Sequence, residues 1–294
     1  MTRIDAHHHL WPDPSPEDYP WMTDELAAIR RPFTPDDLAP LLLAAGIDRT
    51  VLVQTRASVS ETATFLAAAA ATPFIAGVVG WVDLTAPSVA DDLAGLRELP
   101  GGERLVGIRH QVHDEDDPDW LCRPDVRRGI AAVGDAGLAY DLLVRTRELP
   151  AALKTVRALP RVRFVIDHLA KPPIQEGGAA LDAWEAAIRP FGGEPNVSAK
   201  VSGLVTEADW TGWTPAELAG PIRVAIETFG PDRLLFGSDW PVCRLAAPYE
   251  AVVAAEEAGL TAAGLGPADL AKVFGANAVA VYRLEGSADA PRAG

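Results

Sequence analysis

Four side chains in this sequence of 294 residues, His7, His9, His168 and Asp239, are of types that activate water, and each closes an apolar run. The first run, Arg3-Ile4-Asp5-Ala6, ends in His7, His8 and His9. Successive strand side chains point to opposite faces, so His7 and His9 share one face with Asp5, and His8 takes the other. Phe164-Val165-Ile166-Asp167 runs into His168, and Leu234 to Ser238 runs into Asp239, followed by Trp240-Pro241. A carboxylate among imidazoles can orient or deprotonate a water molecule. The same set, His7, His9, His168 and Asp239, could instead enclose one Zn²⁺, for which three imidazoles and a carboxylate are suitable ligands. A helix cap would explain Asp239 without chemistry, but Trp240-Pro241 is a poor helix opening.

A second tier of residues could bind a ligand rather than attack it. Arg109 ends the fourth run, and its planar fork suits a carboxylate held by two parallel hydrogen bonds. His110 alternates with Arg109, so a regular strand turns only one of them inward. Lys171 and Lys200 lie near run ends, and Gln54 and Trp81 close the second and third runs. Cys243 follows Asp239 by four residues, but no histidine-based nucleophile accompanies it, and it reads as packing.

Positioning these groups falls to eight strand-like segments, at 3–9, 49–55, 74–82, 105–112, 139–144, 163–169, 197–203 and 233–239. Several are continuous apolar runs, as parallel strands covered by helices require. Between them lie Ala- and Leu-rich stretches of helical period. Thr34-Pro35 and Thr214-Pro215 each place a cap before a proline at the first helical position; Gly46 and Gly230 stop those helices. Pro221 predicts a kink or break within the second of them. Ser88 to Leu99 and Leu149 to Leu159 have the length and spacing of covering helices. Eight β–α units predict a closed (β/α)8 barrel in one domain over 1–284. An open doubly wound sheet would show a Gly-rich phosphate turn after its first strand, and here that turn is His-His-His-Leu-Trp-Pro. Residues 10–33 form a Pro-rich, aromatic insertion after the first strand and predict a lid, with Trp11, Tyr19 and Trp21 shielding the site. Residues 285–294 read as a disordered tail.

The segments DAHHHLW, GIRHQV, DHLAKP and FGSDWP, with Val273-Phe274-Gly275-Ala276-Asn277-Ala278 near the end, resemble the amidohydrolase superfamily in order and spacing. Within it they resemble the branch of sugar-lactone and dicarboxylate-lactone hydrolases that includes L-fuconolactonase, L-rhamnonolactonase and 2-pyrone-4,6-dicarboxylate lactonase. The resemblance implies hydrolysis of a lactone, a sugar aldonolactone of the L-fucono or L-rhamnono type, with Asp239 as base on water. Arg109, Trp81, Gln54, Lys171, Lys200, Trp11 and Trp21 would then bind substrate. One departure stands out: the metal-dependent members add a lysine on the fourth strand or a histidine on the fifth, and this sequence has neither there. That implies no binuclear centre, and either one divalent metal, Zn²⁺ above others, or none. Two other readings are a metal-dependent decarboxylase or hydrolase of an unsaturated dicarboxylic acid, and a catalytically silent barrel that binds a small molecule.

Composition narrows the partners. The formal charge of −15 repels a polyanion and excludes nucleic acid as a partner class. No apolar stretch approaches a membrane span, Phe65 to Ala71 being too short, and the N-terminus lacks a signal-peptide core. Two distant cysteines, Cys122 and Cys243, read as free thiols of a reducing compartment. A cytoplasmic monomer or homodimer is the resulting expectation.

Overall fold

The computed structural model describes residues 2–11, 13–15 and 17–284. Eight parallel strands follow one another in chain order. They are β1 (Ile4–His8), β2 (Arg49–Val53), β3 (Ile75–Gly80), β4 (Leu105–Gln111), β5 (Ala139–Leu143), β6 (Arg163–Ile166), β7 (Val197–Val201) and β8 (Leu234–Phe236). Helices α1 (Pro35–Ala45), α2 (Val59–Ala71), α3 (Val89–Glu98), α4 (Pro124–Asp135), α5 (Leu149–Ala158), α6 (Gly178–Ile188), α7 (Pro215–Phe229) and α8 (Tyr249–Ala262) lie between and after them. Two short helices, α9 (Pro267–Ala271) and α10 (Asn277–Tyr282), complete the described chain. The sheet closes where the Asp239 N–H donates to the His7 carbonyl at 2.9 Å and the His9 N–H to the Trp240 carbonyl at 2.7 Å. This is the (β/α)8 barrel that the alternation predicts. Among the described residues no helix is long and apolar enough to cross a membrane.

The helix openings follow the sequence signals. Asp37 accepts the Thr34 N–H at 2.9 Å and Glu217 accepts that of Thr214 at 2.7 Å, so both helices start in capping boxes. The break expected at Pro221 does not occur: α7 runs from Pro215 through it to Phe229, with Pro221 buried.

Two strands end sooner than their apolar letters predict, β6 at Ile166 and β8 at Phe236. Beyond them the backbone turns left-handed at His168 (φ 52°), Leu169 (φ 50°), Ala170 (φ 58°), Lys171 (φ 53°) and Asp239 (φ 57°). Such conformations are unfavourable for residues with a Cβ and persist where the surroundings impose them. A further difference concerns Asp5. Register between β1 and β2 shifts between Asp5 and His8. Asp5 therefore does not join His7 and His9; it accepts the Tyr249 hydroxyl of α8 at 3.0 Å and the Ser238 N–H at 2.9 Å.

Inside the bore, Ile4, Ala6, Val53, Val79, Val106, Val165 and Leu235 pack together, and Tyr282 of α10 with Leu284 joins them. The described residues of segment 10–33 fold upon one another. Trp11 and Phe33 exchange both backbone hydrogen bonds, at 3.2 and 3.0 Å, and the Trp11 indole donates to the Ile29 carbonyl at 3.1 Å. Trp11, Tyr19, Trp21 and Phe33 form an aromatic cluster whose Phe33 meets Trp240, ring centroids 5.2 Å apart. The tail at 285–294 lies outside the described residues.

Glu256 on α8 is fully buried, and neither carboxyl oxygen has a hydrogen-bond partner among the described residues. Burial, with Asp5 and Asp239 nearby, raises its pKa well above the ordinary value. An acid whose folded pKa is raised destabilises the fold above its unfolded pKa and has no effect below it. Glu256→Gln is therefore expected to raise the melting temperature by a few degrees at pH 7.5 and not at pH 4; equal shifts at both would remove the ionisation argument.

Candidate active site

At the C-terminal ends of the strands a cavity of about 340 Å³ opens over the bore. His9, His168, Asp239 and Arg109 form part of its lining, with Lys171, Gln111 and Trp21. His9 comes from the end of β1, Arg109 from β4, His168 from the left-handed turn after β6, and Asp239 from that after β8. The carboxylate stands at the centre: Asp239 Oδ1 lies 3.3 Å from His9 Nε2 and 3.8 Å from both His7 Nε2 and His168 Nε2.

Each imidazole is held by its other nitrogen. His9 Nδ1 lies 2.8 Å from the Val53 carbonyl, an acceptor only, so Nδ1 carries a proton. In neutral His9, Nε2 then offers a lone pair to the cavity. His168 Nδ1 meets Ser202 Oγ at 2.8 Å. His7 Nδ1 lies 3.1 Å from Lys200 Nζ and 3.3 Å from Asp167 Oδ1. Burial is the main cause lowering the pKa of His168 to about 4, so it is neutral at pH 7. For Asp239 burial acts upward, but His168 and His9 outweigh it and hold the carboxyl below the usual range. The site at neutral pH thus combines an ionised carboxylate with a neutral imidazole.

His7 Nε2 and His9 Nε2 approach to 3.2 Å, and Asp239 Oδ1 completes a triangle of 3.2, 3.3 and 3.8 Å. Ligand atoms about 2.1 Å from a tetrahedral Zn²⁺ stand about 3.4 Å from one another. These residues fit a single divalent metal, with His168 beside them, and the bonds to the far nitrogens are of the kind that orient metal-binding imidazoles.

Beneath this layer lies a network of buried charge. Lys200 Nζ is 2.7 Å from Asp141 Oδ2 and 2.9 Å from Asp167 Oδ1, and the Tyr282 hydroxyl donates to Asp141 at 2.7 Å. Arg109 donates to Asp167 Oδ2 at 3.0 Å and to the Gln54 carbonyl, and lies 3.3 Å from His7 Nε2. Two cations thus face two carboxylates. Burial pushes the Asp167 carboxyl upward, but Lys200, His7 and Arg109 outweigh it and hold it well below its usual range.

This network corrects several expected contacts. Lys200 is fully buried under His7 and does not line the cavity. Gln54 is also fully buried and braces Arg109 from behind. Trp81 lies outside the cavity, donating to His110 Nδ1 at 3.0 Å; that imidazole stacks on Trp120, ring centroids 4.4 Å apart. His110 faces outward while Arg109 faces inward, as their alternation requires. Trp11 is buried behind His9, and of the insertion's aromatic residues named in the sequence only Trp21 reaches the cavity. Cys243 is buried, and burial raises its thiol pKa well above the ordinary value. Asp141 and Asp167 were not singled out by sequence reasoning. The available signal was a carboxylate inside an apolar strand, which demands a buried partner.

The family model described as amidohydrolase matches residues 4–284. An L-fucono-1,5-lactonase of Burkholderia ambifaria is 43% identical over 96% of each chain. A second, of Burkholderia multivorans, is 38% identical over 98% of each. The crystal structure of an amidohydrolase from Burkholderia multivorans with bound zinc superposes with a TM-score of 0.92 at 37% identity, covering 97% of this chain and all of that one.

Proposed function

We propose, from the premise that this chain belongs to the amidohydrolase family, that it is a lactone hydrolase acting on a sugar-derived 1,5-lactone, L-fucono-1,5-lactone first among them. The observation that carries this reading is a carboxylate, Asp239, set among imidazoles on the floor of a cavity sized for one sugar ring, in a chain 43% identical along its length to an L-fucono-1,5-lactonase.

In the proposed mechanism a water molecule rests between Asp239 and His9 and donates one hydrogen bond to the His9 Nε2 lone pair. Asp239 removes the other proton as the oxygen attacks the lactone carbonyl. Arg109 and Lys171 place positive charge along the wall where the oxyanion develops. The tetrahedral intermediate collapses by breaking the bond between the carbonyl carbon and the ring oxygen. The proton held by Asp239 passes to that oxygen, leaving the open hydroxy acid. A divalent metal held by His7, His9, His168 and Asp239 would polarise the carbonyl and acidify the water. Segment 10–33, through Trp21 and Leu26, roofs the cavity and limits entry of bulk water.

The test is hydrolysis of a panel of aldonolactones, followed by acid release in weakly buffered indicator. L-Fucono-1,5-lactone is expected among the best substrates; failure on every sugar lactone would refute the assignment. The reading as a decarboxylase or hydrolase of an unsaturated dicarboxylic acid is disfavoured. Arg109 is already paired with Asp167 and Lys171 with Glu207 at 2.5 Å. Each can turn an N–H toward a partial negative charge, but neither has an unmatched charge for the full second carboxylate of such a substrate.

Metal titration of chelator-treated protein is expected to saturate at one equivalent of zinc, read by elemental analysis. A second ion drawing on Asp167 and His7 would have to displace the Lys200 ammonium, so two equivalents would contradict the arrangement.

A further inference from the structure

The cavity has two chemically different walls, and the barrel's order of strands sets them opposite each other. Leu26 belongs to the insertion after β1, and Val242 and Leu245 to a 3-10 turn (Val242–Leu245) after β8. Because β1 and β8 are neighbours across the closure, these three side chains make one apolar wall with Trp21. The facing wall comes from β4, the end of β5 and the loops after β5 to β7 and is mostly polar: Arg109, Gln111, Arg145, Lys171 and Glu207 dominate it, with Leu143 and Trp210 between them. Asp239, on the β8 side, stands at the foot of the apolar wall.

A 6-deoxyhexono-1,5-lactone is two-sided in the same sense. Hydroxyls occupy C2, C3 and C4. The opposite edge consists of the ring oxygen and C5, which carries a methyl group and no hydroxyl. With the carbonyl carbon over Asp239, the hydroxylated edge turned to the polar wall brings the C5 methyl against the apolar one. The reverse placement would leave hydroxyls facing Leu26, Val242 and Leu245 without partners, which is unfavourable for groups leaving water.

We infer that Leu26, Val242 and Leu245 form the specificity wall for the deoxy end of the substrate and select a methyl group over a hydroxymethyl group at C5. This rests on the lactonase reading above and adds to it the residues that choose between two lactones of the same ring. The pair to compare is L-fucono-1,5-lactone and L-galactono-1,5-lactone, which differ only in the C6 hydroxyl.

The experiment measures kcat/KM for both with the native chain, Val242→Thr and Val242→Thr/Leu245→Asn. Hydrophobic pockets discriminate by about 10- to 100-fold at most against one added hydroxyl. The native chain is expected to prefer the deoxy lactone about tenfold, and the double variant to bring the ratio near one. The ratio does not depend on how much enzyme is folded, and Val242→Thr, nearly isosteric, is expected to move it in the same direction. A ratio in the double variant within twofold of the native value overturns the assignment, as does equal use of both lactones by the native chain. Hydrolysis of neither lactone by the native chain would instead refute the lactonase reading, and this inference with it.

Discussion

Asp239→Asn is expected to lower kcat by about 10²- to 10⁴-fold, the range that one positioned proton-transfer group supplies, while the barrel remains folded. Asparagine matches aspartate in shape and is among the residues that best tolerate the left-handed backbone, which Asp239 adopts at φ 57°. The backbone bonds that close the barrel here, from Asp239 N–H to His7 and from His9 N–H to Trp240, do not involve the carboxylate. A large loss of turnover with an unchanged melting profile would separate chemistry from stability. Retention of more than a tenth of native kcat would remove Asp239 as the base. The pH profile gives a second reading. Asp239 is held below the ordinary carboxylate range and His168 titrates near 4, so both are in their working forms at neutral pH. The native rate should therefore hold steady from about pH 8 down to about pH 5, then fall as both gain protons.

The second large effect is expected from Lys200→Met, and it falls on stability. Methionine replaces the stem of the lysine but removes the ammonium that lies within 3 Å of Asp141 and Asp167. Two fully buried carboxylates would then face Arg109 alone, and breaking a buried pair from one side costs about 3–5 kcal/mol. The deficit should shrink as pH falls and the stranded carboxyls take up protons. Adding Asp141→Asn should recover part of it at pH 7 by removing one excess charge. Denaturant unfolding at pH 5 and pH 8 checks both statements; a variant as stable as its parent at pH 8 would show that the ammonium contributes nothing net.

Much of the fold was legible because parallel strands covered on both faces must be apolar, and eight such runs separated by helical stretches leave few architectures. The histidines and Asp239 were legible for a related reason, since polar side chains closing apolar runs stand out. Their exact presentation was not. His168 and Asp239 lie past the last ladder residue on left-handed backbone, which no pattern of apolar letters encodes. Asp5 was assigned to the wrong face because a register shift within β1 breaks strict alternation. Lys200 looked like a substrate contact because lysines near strand ends commonly reach solvent; its acceptors, Asp141 and Asp167, come from β5 and from the turn after β6. Trp81 and Trp11 were misplaced for the opposite reason, since aromatic letters do not distinguish a cavity wall from the packing behind it.

The seating of Tyr282 in the bore has a consequence for how the molecule comes into being. A ribosome delivers Asp141, Asp167 and Lys200 long before Tyr282, and β8 precedes α10 by about forty residues. Until that helix docks, Asp141 lacks the hydroxyl that satisfies it from below, and the ionic layer beneath His7 is open to water. The ionic layer of the reaction centre is therefore complete only once a helix has docked at the far end of the barrel from the substrate.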